Sequence, residues 1–204
     1  MSSINLLEEN ETFIFDLDDV LYPEKDYLLQ VYYLFAQFME YAEQISANEV
    51  LAAMKEIFEN EGHDGIFEKT AKQFNLPEKY KVNFELLMQG IRLPLKLVLF
   101  EKVLLFLNNA VTRNKKILLY ISGNPEMQLN KIKQIEWHEI ASHLTVYFAE
   151  ELSDESGISG LEFLVKKYHL DCAVTLVVGN SESVKYAAEN TKINYLSVDK
   201  LLTL

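Results

Sequence analysis

Three carboxylates crowd the end of one apolar run. Phe13-Ile14-Phe15 is followed by Asp16, Asp18 and Asp19, and a turn at Tyr22-Pro23 comes next. A short apolar run bounded by turn signals reads as a buried strand. Side chains alternate along a strand, so Asp16 and Asp18 point to the same side just where it leaves the sheet. Acids are costly in such a place unless something cationic meets them. The chemistry this spacing suggests is therefore one that brings a cation to paired carboxylates.

The elements that must position these acids follow from the rest of the pattern. Tyr27, Val31, Phe35, Phe38 and Tyr41 recur at spacings near three and four, the apolar face of a helix. Ser46 with Glu49 predicts a capping box opening a second helix, which Gly62-His63-Asp64-Gly65 ends. A third short helix covers Ile66 to Phe74, and Pro77 sits in the first turn of a fourth. No strand pattern occurs between Tyr22 and Arg92, so this stretch reads as an all-helical insertion.

From Leu93 the pattern alternates. A helix from Leu97 to Asn109 precedes a strand over Lys116–Ile121, and Ser122-Gly123-Asn124-Pro125 then opens a helix with Asn124 as its cap. A strand at Leu144 to Phe148 leads into a polar loop, Ala149 to Gly157, and a helix from Ile158 to Tyr168. Val174 to Val178 is a further strand. It ends at Gly179-Asn180-Ser181, where Ser181 caps a helix running to Asn190, and Ile193 to Val198 forms a last strand. Alternating strands and helices predict a parallel sheet covered on both faces. The fold class expected is α/β, a Rossmann-like core of residues 1–22 and 93–204 with a helical cap at 23–92. Ligands of such sheets sit beyond the carboxyl ends of the strands, where the three polar exits fall.

Bulk properties narrow the function. The 204 residues carry a formal net charge of -12, which disfavours nucleic acid and anionic membrane as partners. The N-terminal stretch lacks the basic and apolar regions of a secretory signal, and no apolar run approaches a membrane span, so a cytoplasmic location is expected. The single Cys172 opens an apolar run and reads as core packing. His63, His138, His143 and His169 are scattered without zinc-ligand spacing, and His63 reads as part of a solvated turn, with a place over the pocket as the alternative. Trp137 reads as packing and Asp19 as a turn cap.

Taken together, Asp16-Leu17-Asp18-Asp19-Val20-Leu21-Tyr22-Pro23, Ile121-Ser122-Gly123-Asn124 and Val177-Val178-Gly179-Asn180-Ser181 resemble three motifs of the haloacid dehalogenase (HAD) superfamily, in its phosphatase branch. The helical insertion is similar to that superfamily's first cap type. The opening motif with Leu93-Pro94-Leu95 looks most like the pyrimidine 5'-nucleotidase subgroup. The resemblance implies hydrolysis of a small phosphomonoester, a nucleotide among the candidates. Asp16 would attack phosphorus and Asp18 would protonate the leaving oxygen and later activate water. Ser122, Gly123 and Asn124 would hold phosphoryl oxygens at a helix N-terminus. Mg²⁺ would bridge Asp16, the Asp18 carbonyl and the residue at 180.

Three positions depart from that pattern. Asn180 stands where the fourth motif carries an acid, and Lys185 replaces a second acid five residues on. The segment Ala149 to Gly157 contains no lysine where the third motif has one. Lys185 is then a candidate substitute for the metal, paired with Asp16 or Asp18, with a surface lysine as the alternative. Lys131 and Lys133 lie about two turns into their helix and read as solvated. The competing reading of the whole chain is a lapsed enzyme that binds a phosphorylated ligand or a protein partner.

Overall fold

The computed structural model describes residues 3–152 and 159–204. Strands β1 (Thr12–Phe15), β2 (Lys116–Ile121), β3 (Leu144–Phe148), β4 (Thr175–Gly179) and β5 (Asn194–Ser197) form one sheet in the order β3-β2-β1-β4-β5. All four pairings are parallel. This is the α/β architecture expected from the alternating pattern, with β1 at the centre.

Being central, β1 is buried on both sides, and all four of its residues are buried. Phe13 and Phe15 face Phe106, with ring centroids 5.1 and 6.1 Å away in edge-on contacts. Ile14 points the other way, into a smaller cluster with Leu118, Leu161 and Val177. Alternation along one strand thus divides the core into two layers.

Helix α1 (Ser3–Glu9), which the sequence pattern did not announce, buries Leu6 and Leu7. Between β1 and the next strand come α2 (Glu24–Glu43), α3 (Ala47–Glu61), α4 (Ile66–Phe74), α5 (Tyr80–Gly90) and α6 (Glu101–Thr112). No strand interrupts α2 to α5. Their shared core is aromatic: Phe35 meets Phe67 and Phe84 edge-on, with centroids 5.9 and 5.2 Å apart. Tyr27, Val31 and Phe35 are buried as the stripe predicts, whereas Tyr41 at its end is 89% exposed. The Ser46 capping box does not form through side chains; Ser46 offers only its carbonyl, to Glu49 and Val50.

Helix α7 (Pro125–Gln134) follows β2, and a 3₁₀ turn over His138–His143 leads into β3. The segment after β3 begins as a short helix, α8 (Ala149–Leu152), where a loop was expected. The rest of that expected loop, with the start of the helix expected from Ile158, falls outside the described residues. Helix α9 (Gly160–Tyr168) is capped by Ser159, α10 (Glu182–Thr191) by Ser181, and α11 (Val198–Thr203) closes the chain. Trp137 packs as expected, donating its indole N–H to the Ile132 carbonyl at 2.8 Å. Among the described residues no helix is long and apolar enough to cross a membrane.

Candidate active site at the strand exits

Asp16 continues the ladder for one bond beyond β1, its N–H reaching the Val178 carbonyl at 3.2 Å. One carboxylate oxygen accepts the N–H of Leu17 at 2.8 Å. Burial is the main influence on this acid and raises its pKa from 3.8 to about 6; Asp18 and Glu24 add to the rise, while the Leu17 N–H and Lys131 oppose it. Asp16 is therefore ionised at neutral pH.

Asp18 lies in a dense set of donors. Its Oδ1 accepts the hydroxyl of the buried Tyr22 at 2.6 Å, and its Oδ2 accepts Gln128 Nε2 at 3.0 Å and Lys131 Nζ at 2.6 Å. Asp19, with φ 54°, turns back so that its Oδ1 caps the first N–H of α2, at Glu24, at 2.8 Å. This is the turn-capping role its position suggested.

The cation that meets these acids is Lys131, and the expectation that it is solvated is overturned. Its side chain is 0% exposed. It bridges Asp18 and Glu24, the latter at 3.0 Å, and lies 5.0 Å from the centre of the Tyr27 ring. The i, i+3 spacing of Gln128 and Lys131 on α7 places both over the end of β1. That spacing was visible in the sequence, but which face of α7 turns inward depends on how the helix docks. Helix α7 is pinned from its other end by Asn130 and Gln134, which donate to the Ile91 carbonyl at 2.9 and 3.0 Å.

Lys185, the expected alternative, reaches Glu182 at 3.4 Å on the exposed side of α10. An i, i+3 acid on its own helix is nearer than either aspartate, so it supplies no charge to the site.

The remaining exits supply neutral groups. Ser122, Gly123 and Asn124 form the turn after β2, with Asn124 capping α7 through Met127 N–H at 3.0 Å. Gly123 has φ +101°. Its N–H donates to Glu150 Oε1 at 2.6 Å. The Ser122 carbonyl accepts Gln128 Nε2 at 3.1 Å, so one amide spans the first and second exits. At the third exit, Asn180 Nδ2 makes a long contact, 3.5 Å, with the Asp18 carbonyl.

For Mg²⁺, the oxygens at the exits are one Asp16 carboxylate and the Asp18 carbonyl; Asn180 turns its Nδ2 to that carbonyl and offers its Oδ1 only if the amide turns over. The Asp18 carboxylate already accepts from Lys131, Gln128 and Tyr22. Among the described residues no cluster of three or more His, Cys, Asp or Glu could hold a metal. Mg²⁺ is commonly held by one or two carboxylates with water and substrate phosphate, so this set fits a cation shared with a ligand and not an all-protein cage.

Beside the acids, a cavity of about 550 Å³ is lined by Asp19, Glu24, Leu28, Phe58, His63 and Phe100 among others. His63 is half-buried, not solvated: its Nδ1 is 2.7 Å from the Tyr32 hydroxyl. Burial lowers its pKa, so the ring is neutral at pH 7.

Compared by sequence, the chain matches no family model and no curated protein. By structure it is similar to the HAD-hydrolase YfnB of Bacillus subtilis, solved bound to magnesium, with a TM-score of 0.60 and 12% identity over 92% of this chain and 86% of that one. It is similar to a HAD family hydrolase of Deinococcus radiodurans, solved with phosphate and sodium, with a TM-score of 0.56 and 15% identity over 93% and 80%. A hydrolase of Streptococcus pneumoniae gives a TM-score of 0.53 and 17% identity over 96% and 97%. The chain has the fold of the HAD hydrolases.

Proposed function

We propose that the chain is a HAD-superfamily hydrolase of small phosphomonoesters, with residues 23–92 acting as a cap over the strand exits. One observation carries the reading: Asp16 stands at the exit of the central strand next to an Asp18 that the buried Lys131 bridges to Glu24, at 2.6 and 3.0 Å. The likeness in fold to HAD hydrolases supports it, as do the three motifs in chain order.

In this reading an Asp16 oxygen attacks phosphorus, the P–O bond to the ester oxygen breaks, that oxygen takes the proton that Asp18 carries into the step, and an aspartyl-phosphate forms. Backbone N–H groups and the Ser122 hydroxyl bind the phosphoryl oxygens. Water then cleaves the intermediate. Asp18, with three donors on its roughly four lone-pair positions, has room to accept the proton of that water. Mg²⁺, when bound by Asp16, the Asp18 carbonyl and Asn180, would offset phosphate charge. Lys131 takes the place of the missing third-motif lysine in charge, though it acts through Asp18. Two like charges about 4 Å apart repel by roughly 4 kcal/mol at an effective dielectric of about 20, which is the scale such a cation offsets. The cavity beside Asp19 receives the leaving group, with Phe58 and Phe100 as apolar walls and neutral His63 as a polar contact; a nucleotide is one candidate.

A second reading is favoured by Asn180, which removes one charge from the metal set. A chain with that loss would bind a phosphorylated ligand or a protein partner without turnover. A screen of nucleotides and sugar phosphates with Mg²⁺, run on the wild type, Asp16→Asn and Asn180→Asp, separates the two. Slow hydrolysis that Asp16→Asn abolishes and Asn180→Asp accelerates is expected. Absence of turnover in both the wild type and Asn180→Asp overturns the enzyme reading.

A further inference from the structure

The proposed phosphate cradle already contains an anion. Gly123 lies in the turn between β2 and α7, where the chain must leave the strand and present N–H groups outward. Its φ of +101° makes this a position L side chains rarely adopt, and a Cβ there would stand 3.3 Å from Gln128 Nε2. Both features keep the backbone bare. Yet its N–H donates to the carboxylate of Glu150 at 2.6 Å, the bond a phosphoryl oxygen would make. Glu150 is the second residue after β3, in the segment where the family pattern has a lysine.

A second observation marks the same turn. Gln128 is 5% exposed, and its Nε2 holds Asp18 and the Ser122 carbonyl. Its Oε1 is buried and has no hydrogen-bond partner among the described residues. A buried amide oxygen without a donor is expensive. It is held against the turn because its Nε2 serves the two exits.

We propose that Glu150 is a self-inhibiting occupant of the cradle, which phosphate must displace before Asp16 can act on it. This rests on the phosphomonoester reading of the site. One N–H cannot serve two anions, and a carboxylate and a phosphate in one turn repel each other. Glu150 is exposed and stands on a four-residue helix at the edge of the sheet, outside the buried core. Displacement exposes the Gly123 N–H to the ligand.

The test is binding of inorganic phosphate, in magnesium chloride, followed by calorimetry and by the Gly123 amide resonance in ¹⁵N spectra. Wild type, Glu150→Gln and Glu151→Gln are compared. The last has the same net charge as Glu150→Gln but leaves the contact in place. Glu150→Gln should bind at least tenfold more tightly than wild type, and Glu151→Gln should match wild type. In the absence of phosphate, the Gly123 amide should shift in Glu150→Gln alone. Equal affinity in wild type and Glu150→Gln, or an equal gain from Glu151→Gln, overturns the inference while leaving the phosphate site standing. If even Glu150→Gln fails to bind phosphate, both the inference and the phosphomonoester reading fall.

Discussion

Replacing Lys131 by Met tests the charge balance of the site most directly. The side chain is fully buried between Asp18 and Glu24, with contacts of 2.6 and 3.0 Å. Those two carboxylate oxygens therefore lie within about 6 Å of each other; at an effective dielectric of about 20 they would repel by roughly 3 kcal/mol once the ammonium is gone. Lost charge-assisted hydrogen bonds bring the expected loss of stability to about 3–5 kcal/mol, the usual result of breaking a buried pair from one side. Burial already raises the pKa of Glu24, so once freed it should take up a proton readily, and the penalty should shrink as pH falls towards 5. Urea unfolding at pH 7.5 and pH 5 measures both effects. Adding Asp18→Asn to Lys131→Met should recover part of the loss, since it removes one of the two unpaired charges. A Lys131→Met protein within 1 kcal/mol of wild type at pH 7.5 would falsify the buried-bridge account.

Asp16 carries a stability signature of opposite origin. Its folded pKa is raised above the unfolded value, so folding takes up a proton between pH 3.8 and about 6. The stability it contributes is full below that window and lost as pH rises through it, by about 3 kcal/mol at 1.36 per unit. Asp16→Asn should therefore unfold at higher urea than wild type at pH 7.5, with the gap closing near pH 4; a gap independent of pH refutes this. Lys185→Ala should change stability by less than about 0.5 kcal/mol, because its partner is an exposed acid on the same helix. A loss above 1 kcal/mol, or loss of any phosphatase activity found, would return Lys185 to the site.

The sheet and its order of elements were legible because strand and helix periods differ and because polar turns mark three of the strand exits. Asn124 and Ser181 cap their helices as their positions predict, each accepting an N–H three residues on. Ser46 looked equally good and does not cap with its side chain, since a cap depends on backbone angles that spacing does not specify. The acids at 16 and 18 were visible for the same reason the strand was: an apolar run ends in charge. Their counter-ion was not visible. Lys131 sits in a helix with a weak apolar stripe, and a lysine's burial is decided by what packs over it, here Tyr27 and Glu24 from residues a hundred positions away. The burial of His63 was not visible for a related reason. A Gly-His-Asp-Gly turn reads as solvent until Tyr32 is placed beside it.

The two-layer packing of β1 links the fold to the acids in a further way. Phe13 and Phe15 belong to one layer and Ile14 to the other, and Asp16 follows in unbroken alternation. A register slip of one residue would turn both aromatic rings away from Phe106 and exchange the outlook of Asp16 with that of Leu17. The same parity that seals the core therefore proofreads the acids: a chain mispaired at this strand loses its packing before it can present the wrong side chain. Length changes are confined by this to places beyond Tyr22, where the chain is already turning. The helical insertion begins there.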